Sequence, residues 1–281
     1  MKTTVALAVA VIACGAGAVQ AQQFERGVAV VSEDAANQIP VFSYRAGPES
    51  ELALRPTTLV PAASGKAEVE VQDGRARVDA RVEKLAVPST LGPYTLYVLW
   101  AITKEGSSTN VGYFDLKSGS ARLRTSVPLS EFALIVTAEP HFAVTVPSRA
   151  VVLQNFARDV KGRVETIGTL KERVDYSTLA RMTPKTKAEP PEMVQLRYAV
   201  AIAKSVEAAQ YAPTEYGNAE EILRQAEADL VSKKRADRNG VSQNARRGVQ
   251  SAEEARQKAL VARADADQKS REASQRAAAE A

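Results

Sequence analysis

The chain has one histidine, His141, and one cysteine, Cys14, so few residues are available for nucleophilic or metal chemistry. Glu139 and His141 flank Pro140, and such a pair could exchange protons as a general acid and base. No nucleophile or third partner accompanies them, and one histidine cannot build a zinc site unaided. We therefore interpret Pro140 as a bend between strands, with Glu139 solvated and His141 packed at the edge of the fold. The sequence predicts no catalytic residue, no metal, no cofactor and no enzyme activity.

Three further carboxylates lie in stretches that alternate polar with apolar residues. Glu68 and Glu70 belong to one stretch and Asp79 to the next, with Asp73-Gly74 between them. Alternate side chains of a strand point to opposite faces, so the carboxylates share one face and the apolar residues the other. Asp-Gly between two such stretches is typical of a tight hairpin. We interpret the three acids as the solvated face of that hairpin.

Residues 1–21 have the layout of a secretory signal. Lys2 supplies a positive charge, residues 5–13 form an apolar core, and small residues lead up to a cleavage site after Ala21. The apolar core is too short for a transmembrane helix, which needs roughly 20 residues. The sequence therefore predicts export to the periplasm, with the mature chain soluble or attached to a membrane only peripherally.

Cys14 leaves a second interpretation of this leader open. Residues 11–15, Val-Ile-Ala-Cys-Gly, resemble a bacterial lipobox, in which the cysteine becomes the acylated first residue of a lipoprotein. Lipidation at Cys14 would anchor the protein to the outer membrane. Cleavage after Ala21 would instead leave no thiol, and therefore no disulfide and no cysteine nucleophile.

The charge balance argues against nucleic acid as a partner. The chain has 37 Lys and Arg against 33 Asp and Glu, a formal net charge of only +4. Proteins that bind nucleic acid usually carry a basic face or a recognisable motif. The sequence offers neither.

The composition changes about two-thirds of the way along, which predicts a multidomain protein, all-β and then all-α. Residues 24–156 place short runs of β-branched and aromatic residues between turn signals, as all-β domains do. Eight expected strands in this region predict an antiparallel immunoglobulin-like β-sandwich, with Trp100 between its two sheets. The strands are expected at 27–31, 66–71, 75–82, 94–103, 108–116, 129–137, 142–146 and 151–153.

Three stretches of this region carry a family likeness: 92–103, 110–112 and 132–140. They resemble an N-terminal domain of exported bacterial proteins that are mostly uncharacterised. The resemblance implies a fold rather than an activity.

Residues 157–191 connect the two regions. Within them, 164–171 could form a strand and 170–182 a short helix, and the pattern does not decide between the two. Residues 183–191 are polar, charged and rich in proline, which is typical of a semi-rigid extended linker.

Residues 192–281 are rich in alanine and charge, and their apolar residues recur at helical spacing. They predict an alanine-rich helical hairpin or three-helix domain. A first helix ends near Tyr211, Pro213 opens the second, and a third begins near Val241 after a break at Gly240. Large apolar residues are absent after Ala262, so the third helix is expected to continue as a long exposed terminal helix.

Tyr211, Pro213, Glu215 and Tyr216 form a Tyr-Ala-Pro-x-Glu step between the first two helices. This step, followed by small and apolar residues at helical spacing, resembles alanine-rich helical domains of unknown function in Gram-negative envelope proteins and lipoproteins. Gly248 departs from that pattern because glycine is a poor helix former. Related chains often continue into an OmpA-like domain that grips peptidoglycan, so the resemblance implies an N-terminal part of such a protein as one alternative.

The sequence allows two interpretations for each of two sets of residues. The four residues of the Tyr-Ala-Pro-x-Glu step either build a helix hairpin or form a corner that binds a partner. A basic cluster is either a solvated loop or a contact with anionic lipid headgroups, where each charge contributes about 1 kcal/mol. Its members are Lys233, Lys234, Arg235 and Arg238.

These features together predict a non-enzymatic protein of the bacterial cell envelope that acts as an interaction, scaffold or spacer module. Its expected partners are envelope proteins or the cell wall, with self-association through the helical domain as a further route. The alternative is an outer-membrane lipoprotein, anchored through Cys14, that tethers toward peptidoglycan.

Overall fold

The computed structural model describes residues 38–47, 49–156, 163–187, 189–231 and 238–280. Within these ranges an antiparallel β-sheet domain, nearly closed like a barrel, precedes a helical region with a long terminal helix. Three predicted features lie outside the described residues: the signal with Cys14 and Ala21, the strand at 27–31, and the basic residues Lys233, Lys234 and Arg235.

The described part of the sheet has ten strands, and every pairing between them is antiparallel. A single helical turn, α1 (Pro88–Leu91), precedes the fifth strand. The strands are β1 (Gln38–Ser43), β2 (Ser50–Pro56), β3 (Ser64–Gln72), β4 (Arg75–Glu83), β5 (Leu96–Ile102), β6 (Ser108–Phe114), β7 (Ala121–Val127), β8 (Glu131–Glu139), β9 (Val151–Phe156) and β10 (Arg163–Thr169).

Eight strands follow one hydrogen-bonded path, β6-β5-β8-β9-β2-β3-β4-β7, and β1 pairs with both β8 and β10. The two ends of this path meet, since the Thr125 hydroxyl of β7 donates to the Val111 carbonyl of β6 at 2.7 Å. The predicted immunoglobulin-like sandwich is not confirmed, because the strands join in one continuous path instead of two separate sheets. The wider prediction of an antiparallel β domain is confirmed.

The β3–β4 hairpin follows the predicted turn. Asp73 and Gly74 have φ angles of 52° and 73°. Positive φ at both central residues gives a turn whose twist matches the flanking strands, and glycine adopts that conformation at little cost. The predicted strand at 142–146 is wrong, since this segment is irregular. Phe142 and Val144 are apolar because they pack against neighbouring cores, not because they belong to a sheet.

Two apolar cores lie on opposite faces of β5, where every residue is buried. Tyr97 and Leu99 face the interior of the nearly closed sheet. Trp100, predicted to be buried, lies in the second core with Ile39 and Val41 of β1. The continuous apolar run of β5 therefore reflects contact on both faces, as in other strands buried on both sides.

The helical region contains α2 (Pro191–Ser205), the short α3 (Ala208–Tyr211), α4 (Pro213–Val231) and α5 (Arg238–Glu280). As predicted, Pro213 opens a helix. The break predicted at Gly240 is wrong, because α5 already begins at Arg238. Gly240 falls in the first turn, where the amides have no intrahelical partner and a weak helix former costs little. Every residue of 263–280 is exposed, which confirms the predicted terminal helix.

The helical region packs directly on the sheet. Val194, Tyr198 and Ile202 of α2 belong to the same apolar core as the interior of the sheet. The segment before α2 also contacts the helices, since Glu189 accepts a hydrogen bond from Arg197 at 2.5 Å. Residues 163–169 of the connector form β10, so the strand alternative for this stretch is confirmed.

Candidate functional site

Buried polar side chains gather where β8 ends against α5. Glu139 is the last residue of β8, and both Glu139 and His141 are 0% exposed. The prediction of a solvated Glu139 is therefore wrong: Pro140 turns the chain beneath α5 instead of toward solvent. The residues of this cluster, called here the sheet–helix joint, are Glu139, His141, Thr145, Glu253 and Arg256.

Only one of the two oxygens of the Glu139 carboxyl has hydrogen-bond partners among the described residues. Its Oε1 accepts hydrogen bonds from the Thr137 hydroxyl at 2.5 Å and from the Ser148 amide at 2.7 Å. The indole of Trp100 donates to the Thr137 hydroxyl at 2.7 Å, which fixes the direction of the Thr137 proton. Glu139 Oε2 is buried and has no hydrogen-bond partner among the described residues.

Glu139 is an uncharged acid at neutral pH in this setting. Burial, with a smaller contribution from the carboxylate of Glu253, raises the pKa of Glu139 to about 8, although the Ser148 and Thr137 hydrogen bonds oppose the shift. A carboxylate without a cation is costly in a low-dielectric interior, so the group keeps its proton.

His141 is an uncharged base in the same place. Neither Nδ1 nor Nε2 has a hydrogen-bond partner among the described residues, and Nε2 lies 3.9 Å from Glu253 Oε2. Burial lowers the pKa of His141 to about 4, with Glu253 opposing this change and Arg256 supporting it. The single histidine is therefore neutral at physiological pH.

The α5 side of the joint is a buried ion pair. Glu253 and Arg256 are three residues apart, so both side chains lie on the helix face that meets the sheet. Arg256 donates to both carboxylate oxygens of Glu253 at 2.8 and 2.9 Å. Burial alone would raise the pKa of Glu253, but Arg256 holds it below its ordinary value.

Thr145 connects this ion pair to the sheet domain. Its hydroxyl donates to Glu253 at 2.6 Å and accepts from Arg256 at 2.8 Å. Two tyrosines border the same region: burial raises the pKa of both Tyr94 and Tyr176, and Glu139, once ionised at higher pH, adds to the shift. The joint therefore joins β8, the loop after it, the segment after β10, and α5.

A second contact fixes α5 about ten residues earlier. The guanidinium of Arg246 lies 4.3 Å from the ring centre of Phe142 and 5.5 Å from that of Tyr113. Arg246 also donates to the Tyr113 hydroxyl at 3.0 Å and pairs with Glu192 of α2 at 3.7 Å. Cation–π contacts of this kind stabilise by about 0.5–2 kcal/mol, so α5 is held against the sheet at two places.

The predicted solvated carboxylates do lie on the outer face of the sheet. Asp79 accepts hydrogen bonds from Arg122 at 2.7 Å and from Arg124 at 3.0 Å. These two arginines hold the pKa of Asp79 far below its ordinary range. Glu68 and Glu70 face the same side, next to Arg81 and Arg77. The arrangement is a surface charge ladder across neighbouring strands.

The residues of the Tyr-Ala-Pro-x-Glu step lie at the corner between α3 and α4. Tyr216 is buried, and Tyr211 packs against the helical core. Glu215 accepts a hydrogen bond from Lys258 of α5 at 2.5 Å. The step thus joins α4 to α5 through packing and one ion pair. Arg238, the described member of the basic cluster, is exposed at the start of α5.

No pattern in the sequence distinguishes Glu253, Arg256 or Arg246 from other charged residues. The helical region contains many charged residues three or four positions apart, and nothing distinguishes a buried pair from an exposed one. Thr145 and Glu253 are 108 residues apart, so only the folded chain brings them together. For Glu139, the single available signal was its position at the end of an otherwise apolar strand.

The joint can hold a proton, and its Glu139 and His141 side chains are closed to solvent, whereas Thr145 and Arg256 also line a surface cavity of about 610 Å³. In the described ranges, His, Cys, Asp and Glu side chains nowhere gather in the groups of three or more that could hold a metal ion. None of the helices in these ranges combines the length and apolar character that a membrane span requires. No protein-family model, curated protein or solved structure matches this chain.

Proposed function

We propose that the protein is a non-enzymatic spacer and interaction module of the bacterial cell envelope. The sheet domain is the part that contacts a partner, and α5 holds it at a fixed distance and direction. The observation that carries this proposal is the division of α5: its first half packs on the sheet and the other helices, and residues 263–280 extend beyond them.

The dimensions of α5 suit a spacer. At about 1.5 Å per residue, the exposed stretch extends roughly 27 Å from the body of the protein. A projecting helix holds the sheet domain in a fixed orientation only if the first half of the helix, its base, is immobilised on that domain. The joint and the Arg246 contact supply that fixed base, because both connect α5 to the sheet.

The envelope location is supported by the sequence alone. A positive residue, an apolar core and small residues before Ala21 form the layout of an export signal. The expected partners are envelope proteins or the cell wall, with self-association through the exposed part of α5 as another route.

Fractionation of cells that express the full-length gene, with intact mass of the purified product, tests this proposal. A periplasmic species that begins near Gln22 supports it. A cytoplasmic product that retains residues 1–21 contradicts it.

The lipoprotein alternative is favoured by one feature, the lipobox-like residues around Cys14. It predicts a membrane-bound product whose first residue is an acylated Cys14. The same mass measurement distinguishes the two, and Cys14→Ser would release a lipoprotein from the membrane while leaving a periplasmic protein where it was.

A further inference from the structure

The joint places two titratable groups in their uncharged forms at a single contact between domains. Glu139 and His141 belong to the sheet side, and both are fully buried. On the α5 side stand Glu253 and Arg256, which neutralise each other. The segment after β10 adds Tyr176 and the chain before β5 adds Tyr94, both of which keep their protons in this interior.

The charges facing Glu139 make its ionisation unfavourable. From α5 the carboxylate of Glu253 opposes ionisation of Glu139, and the cation of Arg256 is already bound to that carboxylate. An ionised Glu139 would therefore add a second carboxylate to a joint whose one guanidinium, that of Arg256, is already bound to Glu253. Separation of α5 from the sheet would admit water to both carboxylates and remove the repulsion.

The charges facing His141 are more balanced. Glu253 favours its protonation and Arg256 disfavours it. A protonated imidazole would find a carboxylate oxygen 3.9 Å away, so its charge is partly compensated without movement. Of the two groups, Glu139 is the one whose ionised form meets no free opposite charge in the closed joint, although the Thr137 and Ser148 hydrogen bonds favour it.

We propose that the sheet–helix joint is a proton-controlled latch, closed while Glu139 carries its proton and loosened when rising pH removes it. Loosening releases α5 from one of its two attachments to the sheet and uncovers apolar residues of the sheet and helices near the joint that now cover each other. The latch depends only on the joint, so its failure would leave the envelope proposal untouched, and the reverse also holds.

Trp100 is a built-in reporter of the Glu139 proton. It is the one tryptophan of the chain, and its indole donates to the Thr137 hydroxyl that donates in turn to Glu139. Intrinsic fluorescence against pH therefore follows the carboxyl directly. Amide hydrogen exchange of α5 between residues 245 and 259 reports separately whether the helix remains docked.

The experiment compares these two signals in the full chain from pH 6 to pH 9. We expect a Trp100 transition near pH 8, where Glu139 ionises. Over the same range, protection of the α5 amides should fall relative to β3 and β4, by up to about tenfold per pH unit. In Glu139→Gln, which mimics the protonated acid, both changes should vanish. Glu70→Gln, an exposed change on β3, is the matched control and should behave as wild type.

Three results would overturn the latch. One is a Trp100 transition with no loss of α5 protection in the wild-type chain, which does not depend on any variant folding. Another is a loss of protection that persists in folded Glu139→Gln. The third is a loss of protection that is equally large in β3 and β4, because that would be general unfolding and not release of α5.

Discussion

At the residue scale, two Glu–Arg pairs with identical spacing show how burial changes the effect of a charge. Glu253 and Arg256 retain only 4% and 7% of their side-chain exposure, whereas Glu221 and Arg224 of α4 retain 62% and 67%. Both pairs lie three residues apart on a helix. The buried pair, however, must compensate the loss of water around both ions, and the exposed pair does not.

Arg256→Met should lower the free energy of unfolding by about 3–5 kcal/mol, because it leaves the Glu253 carboxylate buried without a cation. The double variant Arg256→Met with Glu253→Met removes both charges and should lose less than the single variant. Arg224→Met is the control and should leave the urea midpoint unchanged. A similar loss in Arg256→Met and Arg224→Met would show that the joint is solvated.

The two uncharged groups of the joint should give opposite pH dependences of stability. His141 has a pKa of about 4 in the fold against 6.5 ordinarily, so the unfolded chain binds its proton first and stability falls as pH drops through this window. Glu139 has a pKa of about 8 against 4.5, so the folded chain retains a proton that the unfolded chain releases. Its contribution to stability is complete below pH 4.5 and is lost as pH rises to about 8.

Urea unfolding between pH 5 and 8 separates these contributions. Each group changes the free energy of unfolding by at most about 1.4 kcal/mol per pH unit. In the wild-type chain the two changes should cancel below pH 6.5, and the free energy of unfolding should fall above pH 6.5. Glu139→Gln should instead rise in stability up to pH 6.5 and then remain level. His141→Gln should decline throughout the range. Identical profiles in the two variants would mean that neither group is buried as described.

At the element scale, the contact between α5 and its neighbours requires glycine at one position. A Cβ atom on Gly248 would lie 2.7 Å from a methyl carbon of Leu196 and 2.8 Å from one of Ile222. Leu196 is fully buried and has little room to move. Glycine therefore lets α5 approach α2 and α4 closely, although it weakens the helix by itself.

Gly248→Ala should destabilise the protein. The steric cost of the added methyl group, about 1–3 kcal/mol, outweighs the gain in helix propensity of about 1 kcal/mol. Gly217→Ala in α4 is the matched control, because nothing lies within 4 Å of its new methyl group. That variant should be stabilised by the propensity term alone. Thermal unfolding of both variants shows whether each substitution raises or lowers stability. A higher melting temperature of Gly248→Ala would show that the helices are not closely packed.

Elements with strong local signals were predictable from the sequence. The Asp73-Gly74 hairpin, the apolar strand β5 and the helix opened by Pro213 each depend on neighbouring residues alone. The strands β1, β2 and β7 were missed, because their short patterns contain proline or two arginines. Segment 142–146 was mistaken for a strand, since an irregular segment packed between two cores carries the same apolar residues. The joint was not predictable, because its two sides are set by tertiary packing.

At the scale of the whole molecule, α5 combines two environments in one helix. Alanines at its facing positions, among them Ala245, Ala252 and Ala259, are fully buried and allow close approach to the other helices. Beyond Ala262 every described side chain is exposed, and Arg263 forms a surface ion pair with Glu207 at 3.5 Å. Stability should therefore come from the first half of α5, and length from the second.

Two truncations test this division. Removal of residues 262–281 should leave the free energy of unfolding within about 0.5 kcal/mol of the full chain, as surface changes usually do. It should also shorten the maximum dimension in small-angle X-ray scattering by up to about 28 Å. Truncation after Arg247 removes the α5 side of the joint and the buried alanines from Ala252 onward, and should abolish cooperative unfolding of the helical region. A large loss of stability from the shorter truncation would mean that the exposed half packs against a second copy of the chain, and α5 would then act as an association element instead of a spacer.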